Sequence, residues 1–335
     1  MSRTRATIRD VARLAGFSTT AVSNALNNKN ARIPESTRQK IREAARQLHY
    51  TPNALIRAMH SGRTHIIGLF MVFPPVTAGQ FISQLLFGLQ TEAAARGYDL
   101  LLHRRAEGEE SPGDASRFLD GRIDGLFYWG TRQHEFIDGL VERNFPVAGL
   151  FSSIAKPGAG RVWVDETPGL RQALEHLARL GHREVHFPLY AFDSPAVALR
   201  RQALERLRPQ SPLRITQMTE PEPHGGHVKW FDALFHSPQP PTALIAGGIR
   251  QGYQALAAAH RAGLRVPGDV SIICHEGPDM EGGFELATIV TPIADICREA
   301  IALLIDMIEG VRRPSLEVAL ATRFVAGRTV APPRR

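Results

Sequence analysis

Residues 6–27 read Ala6-Thr-Ile-Arg-Asp-Val-Ala-Arg-Leu-Ala-Gly-Phe-Ser-Thr-Thr-Ala-Val-Ser-Asn-Ala-Leu-Asn27, and this stretch decides what the N-terminus folds into. Thr7 and Asp10 stand at the spacing where a hydroxyl and a carboxylate satisfy the free amides of a helix start. Ile8, Val11, Ala12 and Ala15 then fall on one helical face. Gly16 is the usual stop signal, and Ser18 is placed to cap a second helix over Thr19–Leu26. So short a connection, with a glycine in it, predicts a helix-turn-helix. A third helix is expected from Glu35 to Leu48, opened by Pro34 and striped by Ile41, Ala44, Ala45 and Leu48.

In such a unit the second helix enters the major groove of double-stranded DNA. Val22, Ala25 and Leu26 must pack inward, which turns Thr19, Thr20, Ser23, Asn24 and Asn27 outward. An asparagine can pair with adenine through two hydrogen bonds, and a threonine methyl can meet the thymine methyl. The charge distribution agrees. Residues 1–62 hold 11 Lys and Arg against 3 Asp and Glu, whereas the remaining residues hold 29 against 30. All the excess positive charge sits in the first fifth of the chain, as expected of a polyanion-binding head on a near-neutral body.

The body is large. At about 150 residues per domain, 335 residues suggest two domains with cores that need no disulfide or metal. The longest apolar stretch, Ile66–Val76, is about half of the ~20 residues a membrane helix requires. The polar, basic N-terminus lacks the apolar segment of a secretory signal. Two cysteines, Cys274 and Cys297, cannot build a disulfide framework or a four-cysteine metal site. A cytoplasmic protein is therefore expected. His182 and His186, and His224 and His227, are spaced like metal ligands. The first pair straddles a loop-to-strand entry and the second lacks a third ligand, so no metal is expected. With no phosphate-binding glycine loop and no nucleophile elbow, neither a cofactor nor an enzyme activity is expected.

Residues 66–331 alternate strand-like and helix-like runs. Strands are expected at 66–73, 98–103, 123–129, 146–151, 184–189, 213–216, 242–247 and 270–274. Helices are expected between them, at 81–96, 168–180, 252–262 and 293–308. This alternation predicts α/β architecture, with two lobes of doubly wound parallel sheet. Ligands of such sheets bind beyond the carboxyl ends of the strands, so a site is expected in the cleft between the lobes.

The 6–27 stretch, continued through Thr37-Arg38, Ala44-Ala45, Leu48, Tyr50-Thr-Pro-Asn-Ala-Leu55, Gly62-Arg-Thr and Ile67-Gly68, resembles the DNA-binding head of the lactose-repressor (LacI/GalR) family. Weaker landmarks follow in the body: Gly97-Tyr98, Ile123-Asp-Gly125, Leu180-Gly-His-Arg183, Ala262-Gly-Leu-Arg-Val-Pro267, and the ending from Thr322-Arg to Val330-Ala-Pro-Pro333. The resemblance implies three parts: a helix-turn-helix head at 1–51, a hinge helix at 52–62, and a periplasmic-binding-protein-like clamshell at 63–335 that senses a small molecule and dimerises. It implies a repressor that binds palindromic operator DNA as a homodimer or tetramer. Thr19, Thr20 and Asn24 hold the family's specificity-reading positions, with Asn24 where many relatives carry Arg. Thr7, Ser18, Ser23, Asn27, Thr37, Tyr50 and Asn53 match phosphate-contacting positions. In the hinge, Met59 aligns with an apolar wedge, usually Leu, that enters the minor groove, and Ile56 replaces a common Ala.

The cleft departs from the sugar-binding members. Their Asp after the fourth strand aligns with Phe151, their second-lobe Arg with about Ala196, their Asn-Asp pair with Gly248-Ile249, and their later Asp-Asp pair with Glu276-Gly277. Phe73, Phe81, Trp129, Phe151, Arg250 and Glu276 are left as candidate lining. Aromatic walls with few polar groups favour flatter or more apolar ligands, and Arg250 offers a cation. The expected effector is thus not a neutral hexose but an acidic metabolite, such as a sugar acid or organic acid, or a partly apolar one. Two other readings are a regulator whose body is only a dimer scaffold, and a solute-binding protein.

Overall fold

The computed structural model describes residues 6–26, 33–71, 80–104, 115–130, 135–152, 156–189, 195–219, 227–276 and 286–334. Candidate residues Asn27 and Phe73, with Gly277 and His224, lie outside them. The chain divides into two compact units, Met1–His65 and Ile66–Arg335.

The first unit holds α1 (Ile8–Ala15), α2 (Thr19–Leu26), α3 (Glu35–Gln47) and α4 (Ala54–Ser61). Val11, Ala12, Val22, Ala25, Ile41, Ala44 and Ala45 form its buried core, with Leu26, Leu48 and Tyr50 packed at the margin. These are the apolar positions that the helical period selects, because only one face of each short helix can reach the others.

In the second unit each lobe is built on a sheet. In order of sequence the elements are β1 (Ile66–Met71), α5 (Gln80–Ala95), β2 (Asp99–Arg104), β3 (Gly125–Trp129), α6 (Glu135–Glu142), β4 (Val147–Leu150), β5 (Gly160–Asp165), α7 (Thr167–Arg179), β6 (Glu184–Leu189), α8 (Pro195–Leu207), β7 (Arg214–Thr219), α9 (His227–Phe235), β8 (Ala243–Ala246), α10 (Ile249–Arg261), β9 (Ser271–His275), β10 (Ala287–Val290), α11 (Ile293–Glu309), β11 (Glu317–Ala321) and β12 (Arg323–Val325). Among the described residues, one sheet runs β2-β1-β3-β4-β5-β11 and the other β7-β6-β8-β9-β10-β12. The pairings are parallel except for β12, which runs antiparallel to β10. β3, β8 and β9 are buried along their whole length, as strands covered on both faces must be.

The lobes are not two consecutive halves. The chain passes from β5 of the first lobe to α7 of the second, returns from β10 to α11, and crosses again from β11 to β12. α11 buries Cys297, Ala300, Ile301, Leu303 and Leu304 in the first lobe's core. Gly88 on α5 permits that approach, since a Cβ there would lie 2.6 Å from the Cys297 sulfur. Glu166 after β5, Gly247 after β8 and Glu276 after β9 follow their strands at the carboxyl edges, and all three meet Arg200 of α8.

Candidate nucleic-acid interface and inter-lobe cleft

The reading helix is set by its turn. Thr7 N–H donates to Asp10 Oδ2 at 3.0 Å and Asp10 N–H donates back to Thr7 Oγ1 at 3.4 Å, closing the capping box of α1. The Asp10 carboxyl is held below its ordinary range first by its hydrogen bonds from Thr7. Gly16 ends the helix in the left-handed conformation, φ +76°, and its N–H donates to the Ala12 carbonyl. Ser18 Oγ then accepts the Ala21 N–H at 3.1 Å and starts α2. With Val22 and Ala25 buried, Thr19 and Thr20 are exposed and Ser23 and Asn24 half-exposed. Thr7, Ser18 and Asn53 are exposed, and Thr37 and Tyr50 are half-buried. On α4, Ile56 and Met59 are 53% and 85% exposed. Both side chains project into water from a helix too short to be stable alone.

In the first lobe the structure brings three candidates together. Trp129 ends β3, Phe151 follows β4, and Phe81 lies in the first turn of α5. Their ring centroids are 6.2 Å (Phe81–Trp129), 5.4 Å (Phe81–Phe151) and 5.5 Å (Trp129–Phe151) apart. Trp129 and Phe151 are buried. Leu199 of α8, in the second lobe, joins the buried core to which these rings belong.

The second lobe holds an ionic cluster that the sequence reading missed. Arg200, also on α8, is 2% exposed. Its Nε donates to Glu166 Oε1 at 3.2 Å, its Nη2 to Glu276 Oε1 at 3.2 Å, and its Nη1 to the Gly247 carbonyl. Glu166 sits in the crossover between β5 and α7. His275, the last residue of β9, is fully buried, with Nδ1 3.5 Å from Glu166 Oε2. Gln251 accepts the Gly247 N–H at 2.8 Å and holds the turn into α10. Burial raises the Glu166 carboxyl pKa, but the Arg200 charge and the His275 contact outweigh it and leave the pKa below the ordinary value. Burial and the Arg200 charge push His275 down, against the pull of Glu166 and Glu276.

These contacts correct the expected cleft. The lobe's buried cation is Arg200, one helical turn beyond the half-buried Ala196 and on the same side of α8. Arg250 is exposed in the first turn of α10, beside the extended N-cap Gly248, and does not provide an enclosed cation. Glu276 is in the cluster as a partner of Arg200. An arginine in the run Leu199-Arg-Arg-Gln202 reads as surface from sequence, because nothing local tells which guanidinium is enclosed. Phe151 and Glu276 both have left-handed backbone, φ +53° and +87°. Such conformations cost about 1–3 kcal/mol each in non-glycine residues and gather at functional sites.

Elsewhere His182 is a structural residue: its Nε2 lies 3.0 Å from the Ala331 carbonyl and its Nδ1 3.1 Å from Thr242 Oγ1, which fastens the C-terminal tail. Cys274 is core, its thiol pushed up to about 12, chiefly by burial. Among the described residues no helix is long and apolar enough to cross a membrane.

Comparison with known proteins agrees with this architecture. The family model described as bacterial regulatory proteins, lacI family, matches residues 7–53. A periplasmic binding protein-like domain matches residues 174–330. The HTH-type transcriptional repressor PurR of Escherichia coli is 27% identical over 336 residues, covering 97% of each chain. The fold is that of the Lac repressor dimer bound to operator and the anti-inducer ONPF, with TM-score 0.83, 20% identity, and coverage of 98% of this chain and 100% of that one. It is also that of the CelR–cellobiose complex, with TM-score 0.67, 22% identity, and coverage of 97% and 100%. The chain thus pairs a head that matches the lacI family of bacterial regulatory proteins with a periplasmic binding protein-like body.

Proposed function

We propose that this protein is a cytoplasmic, non-enzymatic transcriptional repressor that binds a palindromic operator as a homodimer and responds to a small molecule held between its lobes. The observation that carries the DNA half is the outward polar face of α2: Thr19, Thr20 and Asn24 stand on a helix fixed from behind by Val22 and Ala25. α4 serves as the link. It is eight residues long, so its order depends on DNA and on the spacing of the two copies. An effector that changes that spacing alters operator affinity without touching α2, a coupling typically of about 1–3 kcal/mol that must act in both directions. Binding-site selection with the full-length protein, followed by gel shift and analytical ultracentrifugation, tests the reading. A two-fold symmetric site bound by two copies is expected. A monomeric complex, or selection that yields no symmetric motif, contradicts it.

A further inference from the structure

Taking the body as an effector-binding clamshell, the charge at its carboxyl edge restricts the effector. The groups that meet there are Glu166 before α7, Arg200 on α8, the Gly247 carbonyl and Gln251 at α10, and His275 and Glu276 at the end of β9. Two carboxylates share one guanidinium, and His275 is held toward its neutral form. Arg200 Nε, Nη1 and Nη2 each already point at an acceptor. Hydrogen-bonding capacity is left over beside the ion pairs. Glu166 Oε2 and His275 Nδ1 face each other at 3.5 Å, while His275 Nε2 and the Thr291 hydroxyl at the neighbouring strand end are buried with no hydrogen-bond partner among the described residues. Native structures rarely leave such groups unpaired, and a bound ligand is one of the ways they are met.

Among the described residues the cluster sets two carboxylates against one guanidinium, so the component that balances it is one positive charge with N–H donors. A carboxylate or phosphate ligand would add a third negative charge against a guanidinium already engaged. A neutral sugar would supply donors and leave the charge uncompensated. Next to Arg200 on α8, Leu199 belongs to the first lobe's buried core, the core that also holds Phe81, Trp129 and Phe151, so apolar surface continues from the ionic cluster into that lobe. Ring faces attract cations as well as apolar groups. Glu276, whose side chain is 19% exposed, is the outer member of the cluster and the side from which a ligand reaches it.

We infer that the effector is a metabolite bearing a protonated amine, which it places between Glu166 and Glu276 with its apolar part against the ring cluster. The acidic effector suggested by the sequence loses its ground, because the cation it relied on, Arg250, is exposed and the enclosed one is already neutralised.

The test uses the full-length protein, thermal shift and calorimetry. The probes are arylalkyl amines, aliphatic diamines and α-amino acids, each run beside its counterpart lacking the amine, with glucose and gluconate as further arms. At least one amine should bind 10-fold or more tightly than its counterpart. Glu276→Gln, and separately Glu166→Gln, should weaken that amine 10-fold or more. Equal binding of amine and counterpart, preference for glucose or gluconate, no bound amine, or undiminished binding by a folded Glu276→Gln variant would each overturn it. So would NMR titration showing His275 charged near neutral pH without ligand, since the protein would then supply the positive charge itself. Operator binding by the unliganded protein is read separately by gel shift. Amine binding without operator binding fails the repressor reading alone, and the reverse fails this inference alone.

Discussion

The guanidinium of Arg200 has exchanged water for two carboxylates and a carbonyl, and a buried charge of that kind is stable only while its partners remain. Arg200→Ala leaves Glu166 and Glu276 facing each other, and roughly 3–5 kcal/mol of stability should be lost, read as a lower urea midpoint. His275, His182 and His103 are buried and held below their ordinary value of 6.5, in each case first by burial. Such histidines take up protons in the unfolded chain before they do so in the folded one. Stability should therefore fall as pH drops below about 6.5. Glu166, its pKa depressed in the fold, adds its own loss as pH drops below about 4.5 and through its folded value. A melting temperature unchanged between pH 7.5 and 5 contradicts this assignment. On the reading helix, Asn24→Ala should cost about 1–3 kcal/mol on the selected operator and relax one base pair in each half-site. An identical motif selected by the variant excludes Asn24 as a reader.

At the scale of elements, short helices depend on their ends. Gly16 sits at φ +76° with no atom within 4 Å of the place a Cβ would occupy. A side chain there meets no obstacle, and the penalty is purely conformational. Gly16→Ala should lower the stability of the head by about 1 kcal/mol, measured by thermal denaturation of the full chain and followed through the head's amide signals. The 8-residue α4 makes a different prediction. If Met59, 85% exposed, is inserted between base steps on DNA, Met59→Gly loses both the wedge and helix propensity. Specific operator binding should then weaken by tenfold or more while non-specific binding changes little. Equal losses on both DNAs would make the segment a tether.

For the molecule as a whole, the charge is divided between two units. The residues up to Gly62 carry an excess of eight positive charges and the rest of the chain is close to neutral. Operator affinity should therefore fall steeply with salt, by roughly a thousandfold or more between 50 and 200 mM if two heads together neutralise six or more phosphates. Binding of a small effector within the body should respond far less. A shallow salt slope for operator binding would mean that the basic head is not the contact surface.

The sequence by itself determined the head: its caps, its glycine stop and its apolar stripe each lie within a few residues, the range over which helix hydrogen bonds and periodicity act. It also determined that the body is α/β, and located the strand Glu184–Leu189 to the residue, where Val185 and Phe187 alternate with Glu184 and His186 and mark the buried face. Only the tertiary structure decided how the chain is shared between the lobes. β11 is a five-residue edge strand, nowhere fully buried, and nothing in so short a run says which sheet it joins, so the return of α11 and β11 to the first lobe was invisible. The same holds for the ionic cluster. Glu166 and Arg200 are 34 residues apart, and Arg200 and Glu276 are 76 apart. Whether such groups are solvated on the surface or enclosed together depends on which crossovers bring their elements to one edge. No local pattern of residues encodes that.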